Sequence, residues 1–397
     1  MPRDPGTGRQ CGLGSALAGF LCIRAIILAA ALMAPQDRSR PGSPEYWSDL
    51  PLVRWDAGHY AYILQHGYPP GPPTSDTIAF FPGYPLVARP LARWLSPDLA
   101  LVIASHLASL IGVLFLYAWS TRRSNPRAAF WCVLLLAAYP PAMFLSVGYA
   151  DGLLFMCVAV TLWLLEHQRV FAAACVSALA TATRPTGLAV AAIVVIWAWL
   201  HGRRGRRPRR ALRLLLIGAV SVSGLVAFQA YLWRHCGQPD AFFAVQSNWA
   251  HKSEVRHPIV KILTLKPVLQ PLLRPIKYII RGQFSRLLEP TKVWNPLFNF
   301  LILLLAVKGL IRPRNIPRVL FLLPVFIFLM AYLPDPCRGG RLVGVARYQL
   351  AALPCFLLLA DWVASRWSRL GRYGLLVAQI ALQCLYVRGF VNWEMVG

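Results

Sequence analysis

Charge is scarce in this sequence, and negative charge is scarcest. Only 14% of the 397 residues are charged, and Asp and Glu number 15 against 41 Lys and Arg. An ordinary soluble domain carries about 25% charged residues. With 57% hydrophobic residues and a mean hydropathy of +0.51, a chain of this size could not hide its apolar surface from water. A water-soluble enzyme is therefore excluded, and the wealth of Leu, Val and aromatic residues excludes disorder. Nucleic-acid signatures are missing too: no helix-turn-helix, zinc-finger or RNA-binding pattern accompanies the net charge of +26. The basic balance is read as attraction to anionic membrane lipid, with no nucleic-acid partner. None of the nine Cys falls in a CxxC or Cys/His metal spacing. Cys236 and Cys337 are the two expected in outer loops, where a disulfide and two free thiols are both open. No repeat of fixed period is present.

What the chain does have is apolar runs. Crossing about 30 Å of hydrocarbon takes about 20 apolar residues. The first candidate, Gly12 to Ala34, is too long for a signal-peptide core and is read as a retained helix. Others start near Leu99, Ala128, Gly152, Val170, Leu188, Ala211, Pro296, Pro317, Ala346 and Tyr373, giving about eleven spans. Val170–Thr183 is short for a full crossing. The expected fold is an all-α, polytopic membrane bundle forming one domain over residues 1–397.

Four short loops carry Arg without acids: Thr121–Arg127, His201–Arg210, Ile311–Arg318 and Ser365–Arg372. Positive loops stay in the cytoplasm. An eleven-span chain with its N-terminus inside puts all four on that side. Twelve of the 15 acids then face outward, although charge played no part in choosing the spans. Two outer loops are long. Residues 35–98 hold six of the 15 acids, the turn Pro69–Pro73, and two expected surface helices, Asp56–His66 and Tyr84–Leu95. Residues 234–295 interleave Lys and Arg with Leu and Ile, as an interfacial segment or a surface for anionic headgroups.

Charge near membrane depth is costly and tends to be functional. Four segments bring it to the outer face. In Arg54-Trp55-Asp56-Ala57-Gly58-His59, a helix starting at Asp56 would set Asp56 and His59 on one face. Asp56 is then a reactive carboxylate or an N-cap, with Trp55 as an interfacial anchor. Ala79-Phe80-Phe81-Pro82-Gly83-Tyr84-Pro85 is a rigid aromatic turn. Phe81 and Tyr84 either line a pocket for a sugar or isoprenoid or simply pack. Asp151, at the mouth of an apolar helix, is a second site carboxylate or an N-cap. Arg184 in TRPTG and Arg347, followed by Tyr348, offer guanidinium forks for a phosphate, or snorkel to the interface.

In that order, RWDAGHYAYILQHGY, AFFPGYPL, FLSVGYADGLLF, TRPTGL and ARYQLAALP resemble the PIG-V family of mannosyltransferases, over about Val53 to Leu353. The resemblance implies a GT-C bundle with its active site on the lumenal or periplasmic face. It implies a dolichyl- or polyprenyl-phosphate sugar donor and inverting transfer without a nucleotide-sugar; the expected acceptor, a lipid or a glycan, is not identified by it. Asp56 matches the family's Trp-Asp position, where such enzymes place an essential acid. Asp151 stands where eukaryotic members often carry Glu. The basic loop matches poorly, so the acceptor does not carry over. The expected mechanism makes Asp56 the base, oriented by His59, and Arg347 and Arg184 the stabilisers of the departing phosphate. It requires no metal and no cofactor. A transporter or flippase is the competing class, but its charges would sit at the midplane and its halves would repeat; a GT-C enzyme with a different sugar or a protein acceptor is the other alternative. The sequence has no Asn-x-Ser/Thr glycosylation acceptor, which fits a bacterial inner membrane better than the endoplasmic reticulum.

Overall fold

In hydrocarbon no water satisfies a backbone amide, so an apolar run must close its hydrogen bonds within itself. Each of the eleven runs is helical in the computed structural model, which describes residues 12–35, 48–71, 75–202, 207–242, 244–245, 270–332, 344–394 and 396. Among the described residues there is no β-strand. The helices are α1 (Leu13–Met33), α2 (Asp56–His66), α3 (Gly83–Ala88), α4 (Pro97–Arg123), α5 (Pro126–Ala138), α6 (Asp151–Glu166), α7 (Val170–Thr183) and α8 (Gly187–His201). They continue as α9 (Arg207–Cys236), α10 (Arg274–Ile280), α11 (Asn295–Ile311), α12 (Leu322–Tyr332), α13 (Val345–Tyr348), α14 (Leu353–Arg366) and α15 (Arg369–Val391).

Length does not make every run a full crossing. Among the described residues five helices are long and apolar enough, and a sixth span follows if α13 and α14 count as one helix bent by 80°. The rest are shorter. The 13 residues of α5 rise only about 20 Å, against about 30 Å of hydrocarbon. The expected count of eleven spans is thus reduced to five or six by this measure, although the helical runs themselves are all present.

The ends of the helices sort by face. Arg123 pairs with Glu166, Arg314 pairs with Asp361, and Ser124 donates to Asp361 at 3.0 Å. These contacts gather the ends of α4 and α6, the α11–α12 connection and the last turns of α14. At the other face Asp56 meets Arg347, Asp151 meets Arg184, and Asn295 bonds the Val396 carbonyl.

Two breaks at that second face shape the site. After α5, Pro140 and Pro141 lack amide donors and turn the chain into a 3₁₀ segment, Pro140–Leu145. Arg24 from α1, 2% exposed, holds this segment. Its guanidinium donates to the Ala142 carbonyl at 2.6 Å, to Ser146 Oγ at 3.0 Å and to the Ala137 carbonyl. The second break separates α13 from α14, ahead of Pro354. Gln349, wholly buried, donates to Asn299 Oδ1 at 3.2 Å and to the Pro324 carbonyl. The Tyr139 hydroxyl donates to the Ala346 carbonyl at 3.0 Å. Irregular backbone at this depth persists because buried side chains answer its polar groups.

The first outer loop behaves partly as expected. The helix Asp56–His66 has the anticipated ends. The anticipated helix Tyr84–Leu95 is shorter: α3 stops at Ala88, and a 3₁₀ turn, Leu91–Arg93, follows Pro90. Proline there removes the amide that would have continued the ladder. Leu86, Val87 and Trp94 remain exposed, as suits a surface helix at the lipid boundary. Cys236 is a free thiol, and Cys337 lies outside the described residues, as do Lys252, Arg256, Lys261 and Lys266 of the basic loop.

Candidate active site

Asp56 and Asp151 occupy equivalent local positions. Each is the first residue of a helix that starts at the same face of the bundle, and neither is the cap. Trp55 and Ala150 take that place, without side-chain capping bonds. The carboxylates point elsewhere while still favoured by the positive helix ends. Asp151, 2% exposed, is 2.6 Å from Arg184 Nη1. Its other oxygen lies 3.7 Å from Arg347 Nε. Arg347 extends its Nη2 to Asp56 Oδ2 at 3.2 Å. The chain of charge runs Arg184, Asp151, Arg347, Asp56, two of each sign.

Aromatic rings wall this chain. The Tyr348 ring lies between the two cations, 4.8 Å from the Arg184 guanidinium and 5.1 Å from that of Arg347. Phe144 and Tyr149 cover Arg347 from 4.9 and 5.1 Å. Ring faces attract cations most where water is excluded. Tyr149 also accepts the Asp56 amide at 3.1 Å, which ties the start of α2 to the turn before α6. A backbone bond from Gly148 to Leu52 runs beside it. The pair is asymmetric: among the described residues Arg347 Nε is buried without a hydrogen-bond partner, while the Asp56 carboxylate that accepts from Nη2 remains 34% exposed at its side chain.

Close packing fixes the elements behind the charges. At Gly152 a methyl group would sit 2.6 Å from the Ser105 carbonyl oxygen, so only glycine lets α6 approach α4 beside Asp151. At Gly83 it would sit 2.7 Å from the Ala182 carbonyl, which lets α3 press on the end of α7, just before Arg184.

The anticipated residues divide into three groups. Asp56, Asp151, Arg184, Arg347 and Tyr348 converge, although Arg347 and Asp56 are 291 positions apart. Trp55 stands at the rim. His59, Phe81 and Tyr84 lie in the supporting layer. His59 Nδ1 is 3.1 Å from Thr77 Oγ1, and its ring stacks on Phe80 at 4.3 Å. Burial pushes the imidazole below its ordinary pKa, against the upward pull of Asp56 and Asp76. Phe81 packs on Phe228 of α9 at 4.8 Å, and the Tyr84 hydroxyl donates to the Leu101 carbonyl at 2.6 Å. Sequence reasoning passed over Arg24, Phe144 and Tyr149 as site-forming residues. Arg24 alone carried a signal, a single cation within the run Leu21-Cys22-Ile23-Arg24-Ala25-Ile26.

Residues 29–257 match the family model described as Mannosyltransferase (PIG-V). The chain belongs to the PIG-V mannosyltransferase family. It is 32% identical over 149 residues to the GPI alpha-1,6-mannosyltransferase 2 of Cricetulus griseus, a match covering 34% of this chain and 29% of that protein. The Homo sapiens protein of the same name is 32% identical over 151 residues, with the same two shares. The chain thus matches less than a third of the length of these curated relatives. Among solved structures it resembles ArnT from Cupriavidus metallidurans, bound to undecaprenyl phosphate, with a TM-score of 0.53 and 16% identity over 93% of this chain and 63% of that one. That likeness is one of fold, the polytopic GT-C-like bundle expected from the sequence. This member of the PIG-V family is accordingly a multi-pass membrane protein.

Proposed function

We propose that the protein transfers a mannosyl group from a polyprenyl-phosphate-linked donor to a lipid-linked or glycan acceptor. The reaction takes place on the non-cytoplasmic side of the membrane, which we read as the periplasmic side of a bacterial inner membrane. One observation carries the reading: Arg347 bridges two carboxylates, keeps a buried donor without a hydrogen-bond partner, and faces a carboxylate open to water. Family membership supports mannosyl transfer, and the undecaprenyl phosphate held by ArnT supports a lipid-phosphate leaving group.

In this reading the two aspartates have different tasks. Asp151 is buried and faces both guanidiniums, so it orients them. Asp56 is the more accessible and acts as the base. The donor phosphate takes over the Nη2 side of Arg347 and displaces Asp56 from it. The freed carboxylate can then accept from the acceptor hydroxyl. The acceptor hydroxyl then attacks the anomeric carbon as the bond from that carbon to phosphate oxygen breaks. The proton passes to Asp56, and the electron pair leaves with the phosphate, whose charge Arg347 and Arg184 stabilise. Preorganised cations in a dry site do this without reorganisation, and removing one such donor typically costs about 10²–10³ in rate.

The test is direct. The protein, reconstituted in nanodiscs, is given polyprenyl-phosphate mannose labelled in the sugar together with a membrane lipid extract. Label should move to a second lipid or glycan species. Label that remains on the donor or is released only as free mannose overturns the proposal.

A further inference from the structure

A pair of strained tryptophans stands beside Asp56. Among the described residues only four other than glycine have positive φ: Trp55, Gln168, Arg314 and Trp393. For a bulky residue this backbone region is an outlier, costing about 1–3 kcal/mol, and such strain collects at ligand clamps. The two tryptophans, at φ 55° and φ 61°, meet ring to ring, with centroids 5.7 Å apart and planes inclined by 55°. They come from distant parts of the chain, one at the start of α2 and the other just past α15.

Both backbones are held from behind. Arg54, 2% exposed, donates through Nη1 to the carbonyls of Ser48, Leu50 and Val53, and its guanidinium lies 5.4 Å from the Trp393 ring. Beyond Trp393, the Glu394 amide donates to Gly389 and the Val396 carbonyl accepts from Asn295 at 3.0 Å. Asn295 in turn accepts from the buried Tyr386 hydroxyl at 2.7 Å. An interfacial anchor needs neither the strain nor this scaffold, because an indole on an ordinary helix face serves that purpose.

We propose that Trp55 and Trp393 form the subsite for the acceptor, which grips the apolar C–H face of its pyranose ring. The proposal rests on the transfer reading above and extends it to the acceptor side. An indole offers a flat apolar face with a polar edge. A sugar ring likewise has an apolar face and a polar rim. The inclined pair makes a corner that takes one ring, stacked on one indole and edged by the other. Position selects acceptor over donor. The donor phosphate goes inward to Arg347, whereas Trp55, 36% exposed, precedes the open carboxylate that must reach the acceptor hydroxyl.

The probe is methyl α-D-mannopyranoside, observed by saturation-transfer NMR on the full chain in nanodiscs. Saturation should reach the ring C–H protons of the sugar in the wild-type protein. Trp393→Ala should weaken it by about threefold or more, and Trp393→Phe, which keeps the packing, by about half as much. Trp199→Ala, on the exposed face of α8, should leave it unchanged. Equal signals in wild type and Trp393→Phe overturn the proposal. So does a Trp393→Ala protein that keeps the sugar signal but extracts more readily from bilayers, because the pair is then a membrane anchor. The two readings fail separately. A protein that binds the sugar through Trp393 yet transfers no label refutes the transfer reading alone. One that transfers label with an unaltered sugar signal in the variants refutes the subsite alone.

Discussion

Arg347 holds Asp56 at 3.2 Å on one side and faces Asp151 at 3.7 Å on the other, so a single guanidinium spans the more exposed and the more buried acid of the cluster. The two contacts differ in what they would cost to break. The outer one can be exchanged for a ligand with little desolvation. The inner one cannot, because both of its members are buried.

Asp56→Asn and Asp151→Asn should therefore separate activity from stability. The Asp56 pair is part-exposed and contributes about 1 kcal/mol or less. Its amide variant should keep its melting temperature and lose about 10²–10⁴ in transfer rate. Asp151→Asn leaves Arg184 without its close carboxylate and should cost about 3–5 kcal/mol. Thermal unfolding in detergent, read beside single-turnover transfer, checks both. Near-normal turnover in Asp56→Asn would remove it from the role of base.

Arg347→Lys tests shape against charge. Lysine keeps the charge but loses the planar fork that meets two acids while presenting its faces to Phe144, Tyr149 and Tyr348. The donor KM should rise by about tenfold or more, with a smaller change at the acceptor. An unchanged donor KM would sink the phosphate role.

His59 sets an acid limit. Its folded-state pKa lies below the ordinary His value of 6.5, so on acidification the unfolded chain takes up the proton first. Stability from this group is complete above about 6.5 and declines as the pH falls through the lowered folded-state value. His59→Gln should flatten the melting-temperature profile below about pH 6.5. A profile as steep as that of the wild type would assign the acid sensitivity to another group.

Arg24→Ala should expose how much the turn after α5 depends on one side chain. It leaves the Ala137 and Ala142 carbonyls and the Ser146 hydroxyl short of a buried donor, at about 1–3 kcal/mol for each unsatisfied group. Arg24→Lys should recover part of the loss. Melting temperatures of the two variants, compared with wild type, make the measurement, and an unchanged value in Arg24→Ala would contradict it.

The readable features were those that depend on local composition. Apolar runs marked every long helix, Trp55-Asp56 marked the start of α2, and acid-free Arg loops marked one face. The helix from Tyr84 was overextended because its apolar spacing continued past Pro90, where the missing amide stops the ladder. What could not be read was which side chains would meet. No spacing encodes that Tyr348 would divide two cations, that Tyr149 would receive the Asp56 amide, or that Trp393 would reach Trp55. Such meetings depend on how the broken helices return to the outer face, and Pro140, Pro141 and Pro354 indicate only where a break falls.

The alternation of two guanidiniums and two carboxylates has a consequence at long range. The four charges cancel in sum, so the cluster carries no net charge, and its field falls off faster than that of a lone ion. A negatively charged lipid drifting in the same leaflet is therefore drawn from afar by the excess of Lys and Arg elsewhere in the chain, not by the cluster. Capture should slow with added salt, whereas the exchange of partners at Arg347 should respond little.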